Sequence, residues 1–321
     1  MIKDSKILIT GGLGFLGGNL ADKLSDVNLS NQIVILDNNT SQKTTGSQLK
    51  LDEKLNIKII HESILSPILE TIGLDFDYII HSAGFLGIDK VQDEQLLNLD
   101  VNILGSRNIF KFATKQNKLK MLVTFSTSEI YGVNSDLSAE TDDSVIKTIG
   151  KRWTYATSKL ASEYYLKAFV QEHALKANII RPFNVYGAYR YGSNAMTSMI
   201  HKAINNEDIL ISGDGSQIRA WCNIQDFVSG VLSLLSKDNI NNEAFNIGDD
   251  RSAISILELA ELIVKVLDSK SKIVILGNNI EDVKTRRPDI TKAKQLLDYN
   301  PKVDLSKGIS EVAGWIRKDS R

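Results

Sequence analysis

Lys6-Ile7-Leu8-Ile9-Thr10-Gly11-Gly12-Leu13-Gly14-Phe15-Leu16-Gly17 runs an apolar strand straight into a glycine-rich turn, and the next apolar run, Ile33-Val34-Ile35-Leu36, ends on Asp37. Each glycine has its own task in a unit that holds a dinucleotide. Gly11 makes the tight turn, Gly14 lets backbone close on a pyrophosphate, and Gly17 lets the following helix pack on the strand with its N-terminus toward the phosphate charge. Phe15 and Leu16 belong to the same cradle. Asp37, with its neighbour Asn38, stands where a carboxylate accepts hydrogen bonds from the adenosine ribose hydroxyls. A carboxylate there repels a 2′-phosphate and no arginine follows at Asn38 or Asn39, so the predicted cofactor is NAD rather than NADP; Lys43 alone nearby argues otherwise.

The 321-residue chain is long enough for one large domain or two that share an interface. Its 42% hydrophobic and 24% charged residues are those of a globular protein. With 38 basic against 39 acidic residues it shows no electrostatic footprint for nucleic acid or an acidic membrane, so neither is a predicted partner and an anionic ligand must be held locally. The single cysteine, Cys222, excludes an intrachain disulfide and offers no thiolate cluster; no metal site is predicted. The first residues enter a strand without the apolar region of a secretion signal, and no apolar run reaches the roughly 18 residues of a membrane span, so the expected location is cytoplasmic.

β-Branched runs at 33–36, 57–60, 78–83 and 121–126 alternate with helical patterns, which predicts an α/β fold with a doubly wound parallel sheet. The segments 91–114 and 155–170 carry apolar residues around more than one helix face. That pattern fits burial against a second copy, in a homodimer, or a wider intrachain core. Beyond Ile180 the alternation loosens, with helices predicted near 195–205, 225–236 and 255–268. The predicted organisation is a cofactor-binding domain of residues 1–180 plus about 221–249, and a smaller, discontinuous α/β lobe of about 181–220 plus 250–321.

Two further clusters carry chemistry. Ser126-Thr127-Ser128-Glu129-Ile130-Tyr131-Gly132 follows the 121–126 run, and Tyr155-Ala156-Thr157-Ser158-Lys159 opens a helical pattern. Tyr155 and Lys159 then share one helix face. An ammonium beside a phenol favours the phenolate and draws the tyrosine down from about 10 toward operating pH, which makes Tyr155 a general base. Lys159 also reaches the nicotinamide ribose, and Thr127 hydrogen-bonds the substrate hydroxyl. The predicted catalytic set from these clusters is Tyr155, Lys159 and Thr127, to which the family resemblance given next adds Ser128 and Glu129.

TGGLGFLGG from Thr10, DYIIHSAG at 77–84, STSEIYG at 126–132 and YATSK at 155–159 resemble the extended short-chain dehydrogenase/reductase family of NAD-dependent nucleotide-sugar epimerases, dehydratases and decarboxylases. The likeness spans nearly the whole chain. It extends the implied cofactor set to Ser63, Ile64, Ala83, Gly84 and Asn102, the last opening Asn102-Ile103-Leu104-Gly105-Ser106-Arg107-Asn108, which is similar to the family's N-x-x-G-T-x-N helix. Arg181-Pro182-Phe183-Asn184-Val185-Tyr186-Gly187 is similar to the R-x-x-N-x-Y-G strand that enters the substrate lobe, and Gly213-Asp214-Gly215-Ser216-Gln217-Ile218-Arg219 to a G-x-G-x-Q-x-R motif. The resemblance implies a nucleotide-diphosphate sugar as substrate, its diphosphate and ribose held by Asn184, Arg219 and Arg287. Arg190 stands one place later than the arginine of the decarboxylases' G-P-R.

In that family, chemistry begins with hydride removal from C4 of the sugar, and NAD is recycled. Glu129 discriminates among the later steps, since by the resemblance plain 4-epimerases lack a carboxylate here whereas dehydratases and uronate decarboxylases carry one. A 4-ketone acidifies the C5 proton, so Glu129 as base lets a C6 hydroxyl depart; a 4-keto uronate instead loses carbon dioxide. Lys151-Arg152-Trp153 resembles the decarboxylases, while Gln217-Ile218-Arg219 with Trp221 also resembles 4,6-dehydratases, whose Asp before the Glu is replaced by Ser128. The sequence places dehydratase or epimerase chemistry first, with Glu129 as C5 base. UDP-glucuronate decarboxylation is the alternative, then simple 4-epimerisation or net 4-dehydrogenation, and last an NAD-binding sensor or scaffold.

Overall fold

A strand covered by helices on both sides has no solvent face, so its apolar residues run consecutively. The computed structural model describes residues 2–39, 44–86, 91, 93–133, 135–191, 194–277 and 283–319. In chain order its strands are β1 (Lys6–Thr10), β2 (Gln32–Leu36), β3 (Ile57–Ile60), β4 (Tyr78–His81), β5 (Met121–Phe125), β6 (Ser135–Ser138), β7 (Ala177–Pro182), β8 (Val185–Tyr186), β9 (Ile209–Ile211), β10 (Ile218–Ala220), β11 (Cys222–Asn223), β12 (Ala244–Ile247), β13 (Ala253–Ser255), β14 (Ile273–Ile275) and β15 (Thr285–Pro288). A 7-stranded sheet runs β12-β7-β5-β4-β1-β2-β3 with every pair parallel. Ile7 and Ile9 pack on one face with Leu20 and Phe227, whereas Leu8 between them packs on the other with Phe110 and Leu166. This is the doubly wound parallel sheet that the sequence predicts.

The strand order reverses beside β1, with β2 on one side and β4 on the other, and ligands of such sheets bind outside the carboxyl ends of the strands at that point. The helix Phe15–Val27 leaves β1 there. Farther along, the helical pattern of 91–114 divides into Gln95–Leu99, a π-turn at Asp100–Gly105, and Ser106–Ala113. The wide turn buries Asn102 and Gly105. Spacing does not reveal such an insertion, because the segments on either side keep a helical period of their own. The helix Thr154–His173 packs alongside both.

A 4-stranded sheet, β13-β10-β15-β6, stands apart, with β13 antiparallel to β10 and the other pairs parallel. Its neighbouring core lies among the helices Ala195–Ile204, Ile256–Leu267 and Leu305–Asp319, around Met196, Leu259 and Ile309. Ser255 and Glu258 open the second of these with a reciprocal capping box. The chain passes between the two sheets repeatedly: β12 returns to the larger one, and β6, inside the 1–180 range expected of the cofactor domain, is an outer strand of the smaller. Among the described residues, no helix is long and apolar enough to cross a membrane.

Candidate active site

The glycine turn closes too tightly for side chains. Gly11 has φ +68°, and a Cβ there would lie 2.5 Å from the Ala83 nitrogen; one on Gly17 would lie 2.5 Å from the Gly11 oxygen. Exposed Gly14 caps the helix Phe15–Val27 without any side-chain hydrogen bond, and Phe15 and Leu16 are half-buried in its first turn. The first N–H groups therefore face the crevice with the positive end of the helix dipole, as a pyrophosphate requires. Asp37 folds against the turn, its Oδ2 accepting from the Leu13 N–H at 3.0 Å and its Oδ1 from the Asn39 N–H at 2.9 Å. Asn38 beside it is exposed. Lys43, the residue that argued for NADP, lies outside the described residues.

Ser63 accepts from the Leu65 N–H at 3.1 Å, and Ile64 is buried against Gly105, with its carbonyl accepting from Asn108 at 3.1 Å. At Gly84 a Cβ would come within 3.0 Å of Lys159 Nζ and 3.1 Å of Asn102 Oδ1, so backbone passes directly over both side chains. Asn102 Oδ1 accepts from the Phe85 N–H at 2.8 Å, while its Nδ2 donates to the Phe85 carbonyl and to Ser158 Oγ, each at 3.0 Å. The structure thus brings Gly11, Ala83, Gly84, Asn102 and Lys159 together at the ends of β1 and β4. These residues fit a dinucleotide.

Lys159 is buried and donates to the Phe125 carbonyl at 2.9 Å. Burial pushes its ammonium down to about 8, with the Glu163 carboxylate opposing. Tyr155 shares a hydrogen bond with Thr127, the residue expected to hold the substrate hydroxyl. Its protonation differs from the expectation: burial first, then the Glu129 carboxylate, hold the phenol well above its ordinary range, against Thr127, Arg286 and Arg190. Lys159 turns its ammonium to the Phe125 carbonyl, which is the physical reason that its spacing from Tyr155 does not lower the phenol here.

Glu129 is held between two guanidiniums, its Oε2 paired with Arg152 and its Oε1 with Arg286 Nη1 at 3.3 Å. Arg152 lies over the Trp153 ring, 5.4 Å from its centroid. Ser128 is buried at the start of the 3-10 turn Ser128–Tyr131. Arg286 was not among the residues singled out from the sequence. Its neighbour Arg287, which was, turns the other way and pairs at 2.5 Å with the half-exposed Asp136. Alternate residues of a strand face opposite sides, and in Thr285-Arg286-Arg287-Pro288 the inward one is Arg286.

Arg219 spends its guanidinium on the Ile218 and Val283 carbonyls, each at 2.8 Å, at the edge where β10 meets β15. Asn184, at φ 36°, donates to the Ala220 carbonyl at 3.0 Å. Both hold backbone around β10, and neither belongs to the Glu129 cluster by these contacts. Arg190 does approach Tyr155: it lies over the Phe15 ring at 5.4 Å, donates to the Val185 carbonyl, and is lowered to about 10 by burial, with Tyr155 opposing.

A second group absent from the sequence reading is His81, the polar residue inside the apolar run of β4. Ser106 Oγ donates to the Asn102 carbonyl at 2.6 Å, so His81 Nε2 donates to Ser106 at 2.9 Å and Nδ1 accepts from Thr10 Oγ1 at 2.7 Å. This chain joins β1, β4 and the π-turn. Burial, with Lys159 adding to it, lowers His81 to about 3 and keeps it neutral.

Residues 7–248 match the family described as the NAD dependent epimerase/dehydratase family. The chain is 31% identical to the UDP-N-acetyl-alpha-D-glucosaminuronate decarboxylase of Bacillus cytotoxicus, with 98% of each chain covered. To UDP-glucuronic acid decarboxylase 1 of Danio rerio it is 29% identical, over 99% of this chain and 74% of that one. Among solved structures, the UDP-glucuronic acid 4-epimerase from Bacillus cereus in complex with UDP-glucuronic acid and NAD gives a TM-score of 0.89 at 25% identity, over 98% of this chain and 99% of that one. NAD is the cofactor, and the chain belongs to the NAD-dependent epimerase/dehydratase family.

Proposed function

We propose that this enzyme oxidises C4 of a UDP-linked uronic acid and releases the carboxylate as carbon dioxide, the chemistry that the sequence placed second. Arg286 carries the argument. Its Nη1 engages Glu129, while Nε and Nη2 are buried with no acceptor among the described residues. A buried guanidinium with spare donors is costly unless a ligand brings the acceptors, and a carboxylate accepts two parallel hydrogen bonds. Arg152, Arg190, Arg286 and Lys159, against Glu129, give the surroundings of Tyr155 a surplus of positive charge that suits a sugar acid better than a neutral hexose.

Held by the glycine turn, Asp37 and Lys159, bound NAD would supply the acceptor for the C4 hydride and its later return. Tyr155 takes the proton of the C4 hydroxyl while Thr127 holds its oxygen. Lys159 would anchor the nicotinamide ribose. Oxidation makes the substrate a β-keto acid, whose C5–C6 bond breaks with its electron pair passing into the C4 carbonyl; the enolate then takes a proton from water at C5, which restores the C4 ketone before hydride returns. That step needs no base at C5. Both oxygens of Glu129 are engaged by guanidiniums, so its task in this reading is to hold Arg152 and Arg286 in place. Two of the most similar relatives are decarboxylases by name, which supports the same reading.

The test is mass spectrometry of products from UDP-glucuronate and its N-acetylated amino analogue, incubated with the protein and NAD. A product lighter by one carbon dioxide is expected. Loss of one water would return Glu129 to its role as C5 base, and an unchanged mass with an inverted C4 would make the enzyme an epimerase. The assembly we propose is a homodimer, since exposed apolar side chains Leu96, Leu104, Tyr164 and Tyr165 stand on neighbouring helical segments.

A further inference from the structure

Tyr155 and Lys159 stand on one helix and Glu129 on a loop, and what joins these elements is buried behind them. Glu163 follows Lys159 by one turn in the helix Thr154–His173 and is almost wholly buried. Arg181 of β7 donates Nε to Glu163 Oε1 at 3.0 Å and Nη2 to Oε2 at 2.7 Å. Its Nη1 donates to the Tyr131 hydroxyl at 2.8 Å and to the Glu140 carbonyl at 3.0 Å. Tyr131 closes the turn Ser128–Tyr131 that carries Glu129, and donates onward to Asn246 Oδ1 of β12 at 2.7 Å. One guanidinium therefore ties the catalytic helix, the 127–131 loop and the sheet together.

We propose that Glu163 and Arg181 are positioning residues of the active site, fixing the 127–131 loop over Tyr155 and setting a carboxylate against the Lys159 ammonium. A buried ion pair is a poor device for stability alone, because packed apolar residues of similar volume often serve as well or better. A task at the site accounts for it. The groups facing Lys159 are Glu163 on its own helix, neutral His81 on β4, the Phe125 carbonyl on β5 and Asn102 on the π-turn. Among these described groups, Glu163 is the anion. Its charge works against burial to keep Lys159 protonated.

The inference rests on the reading that Tyr155 and Lys159 serve hydride transfer, and Tyr155→Phe tests that reading by itself. The pair is tested with Glu163→Gln and with the double variant Glu163→Leu/Arg181→Met, which replaces both charges by packing. Both are compared with the wild type in the pH dependence of kcat/KM and, separately from turnover, of NAD affinity by calorimetry. Without the carboxylate Lys159 loses its proton earlier, so the basic limb of both profiles shifts to lower pH by about one unit. Turnover falls several-fold with KM for the sugar nucleotide little changed. Glu163→Gln leaves Arg181 buried and unpaired, so a loss of folding there hands the decision to the double variant. A folded double variant whose two profiles superimpose on the wild type overturns the proposal. So does a double variant that cannot fold, since the pair would then be a requirement of the fold and not a device of the site.

Discussion

Tyr155 is a phenol that its surroundings keep protonated, with burial and Glu129 outweighing Thr127, Arg286 and Arg190. Proton removal is therefore tied to whatever positive charge arrives beside the ring, and an oxidised nicotinamide carries it. Tyr155→Phe keeps the ring and deletes the ionisable group. Turnover should fall by about 10²–10⁴-fold with sugar-nucleotide affinity nearly unchanged, measured by steady-state kinetics and calorimetry. Near wild-type turnover would remove Tyr155 from the chemistry. His81 makes a different prediction, about stability. Its folded pKa of about 3 lies below the ordinary 6.5, so as pH falls through 6.5 the unfolded chain gains a proton that the folded chain refuses until about 3. The contribution is full above 6.5 and is lost between those values. Urea unfolding across that range should show wild-type stability falling more steeply with acid than that of His81→Gln, whatever the variant's stability at neutral pH. Parallel slopes would mean that His81 is not the neutral, buried link of Thr10 and Ser106.

The elements show which parts of the site a sequence can declare. The glycine turn was legible because each task is local: a positive φ at Gly11 and close approaches of 2.5 Å at Gly11 and Gly17 leave no alternative residue. That Tyr155 and Lys159 share one helix follows from their spacing alone, whereas the turn of the Lys159 ammonium to the Phe125 carbonyl depends on β5 and was not legible. β15 was not legible, because two adjacent arginines give no sign of which faces inward, and the register with β6 shifts between Arg286 and Pro288. Pairing with β6 and β10 decides it, and those contacts are distant in sequence. Arg286→Gln should reduce kcat/KM by about 10²-fold or more, the scale of losing a buried charged contact, while Arg287→Gln stays near wild type because its partner Asp136 is solvent-exposed. Equal losses in the two variants would mean that both faces of β15 reach substrate. The π-turn at Asp100–Gly105 was hidden for the same kind of reason, since what requires it is Asn102 meeting Phe85 and Ser158 from other elements.

At the scale of the molecule, the large sheet announces itself because its strands are apolar on both faces, whereas the small one is made of strands of three or four residues whose pairing, not their pattern, holds them. The surface poses the remaining question. Leu96 is 78% exposed and Tyr164 64%, on helical segments that pack side by side, and Leu104 and Tyr165 add to them. Apolar side chains on adjoining helices are costly to leave in water, and a two-fold axis would bury the same patch on both copies at once. The expected species in sedimentation equilibrium is a dimer at micromolar concentration. Replacing Leu96 and Tyr164 together by lysine should give a monomer that still folds and still binds NAD, because both side chains are exposed, whereas Asn102 and Lys159 of the same helical segments are buried and keep their own contacts. A wild-type protein that sediments as a monomer, or a double lysine variant that remains a dimer, would place the subunit interface elsewhere or dispense with it, and the two apolar helix surfaces would then need another cover.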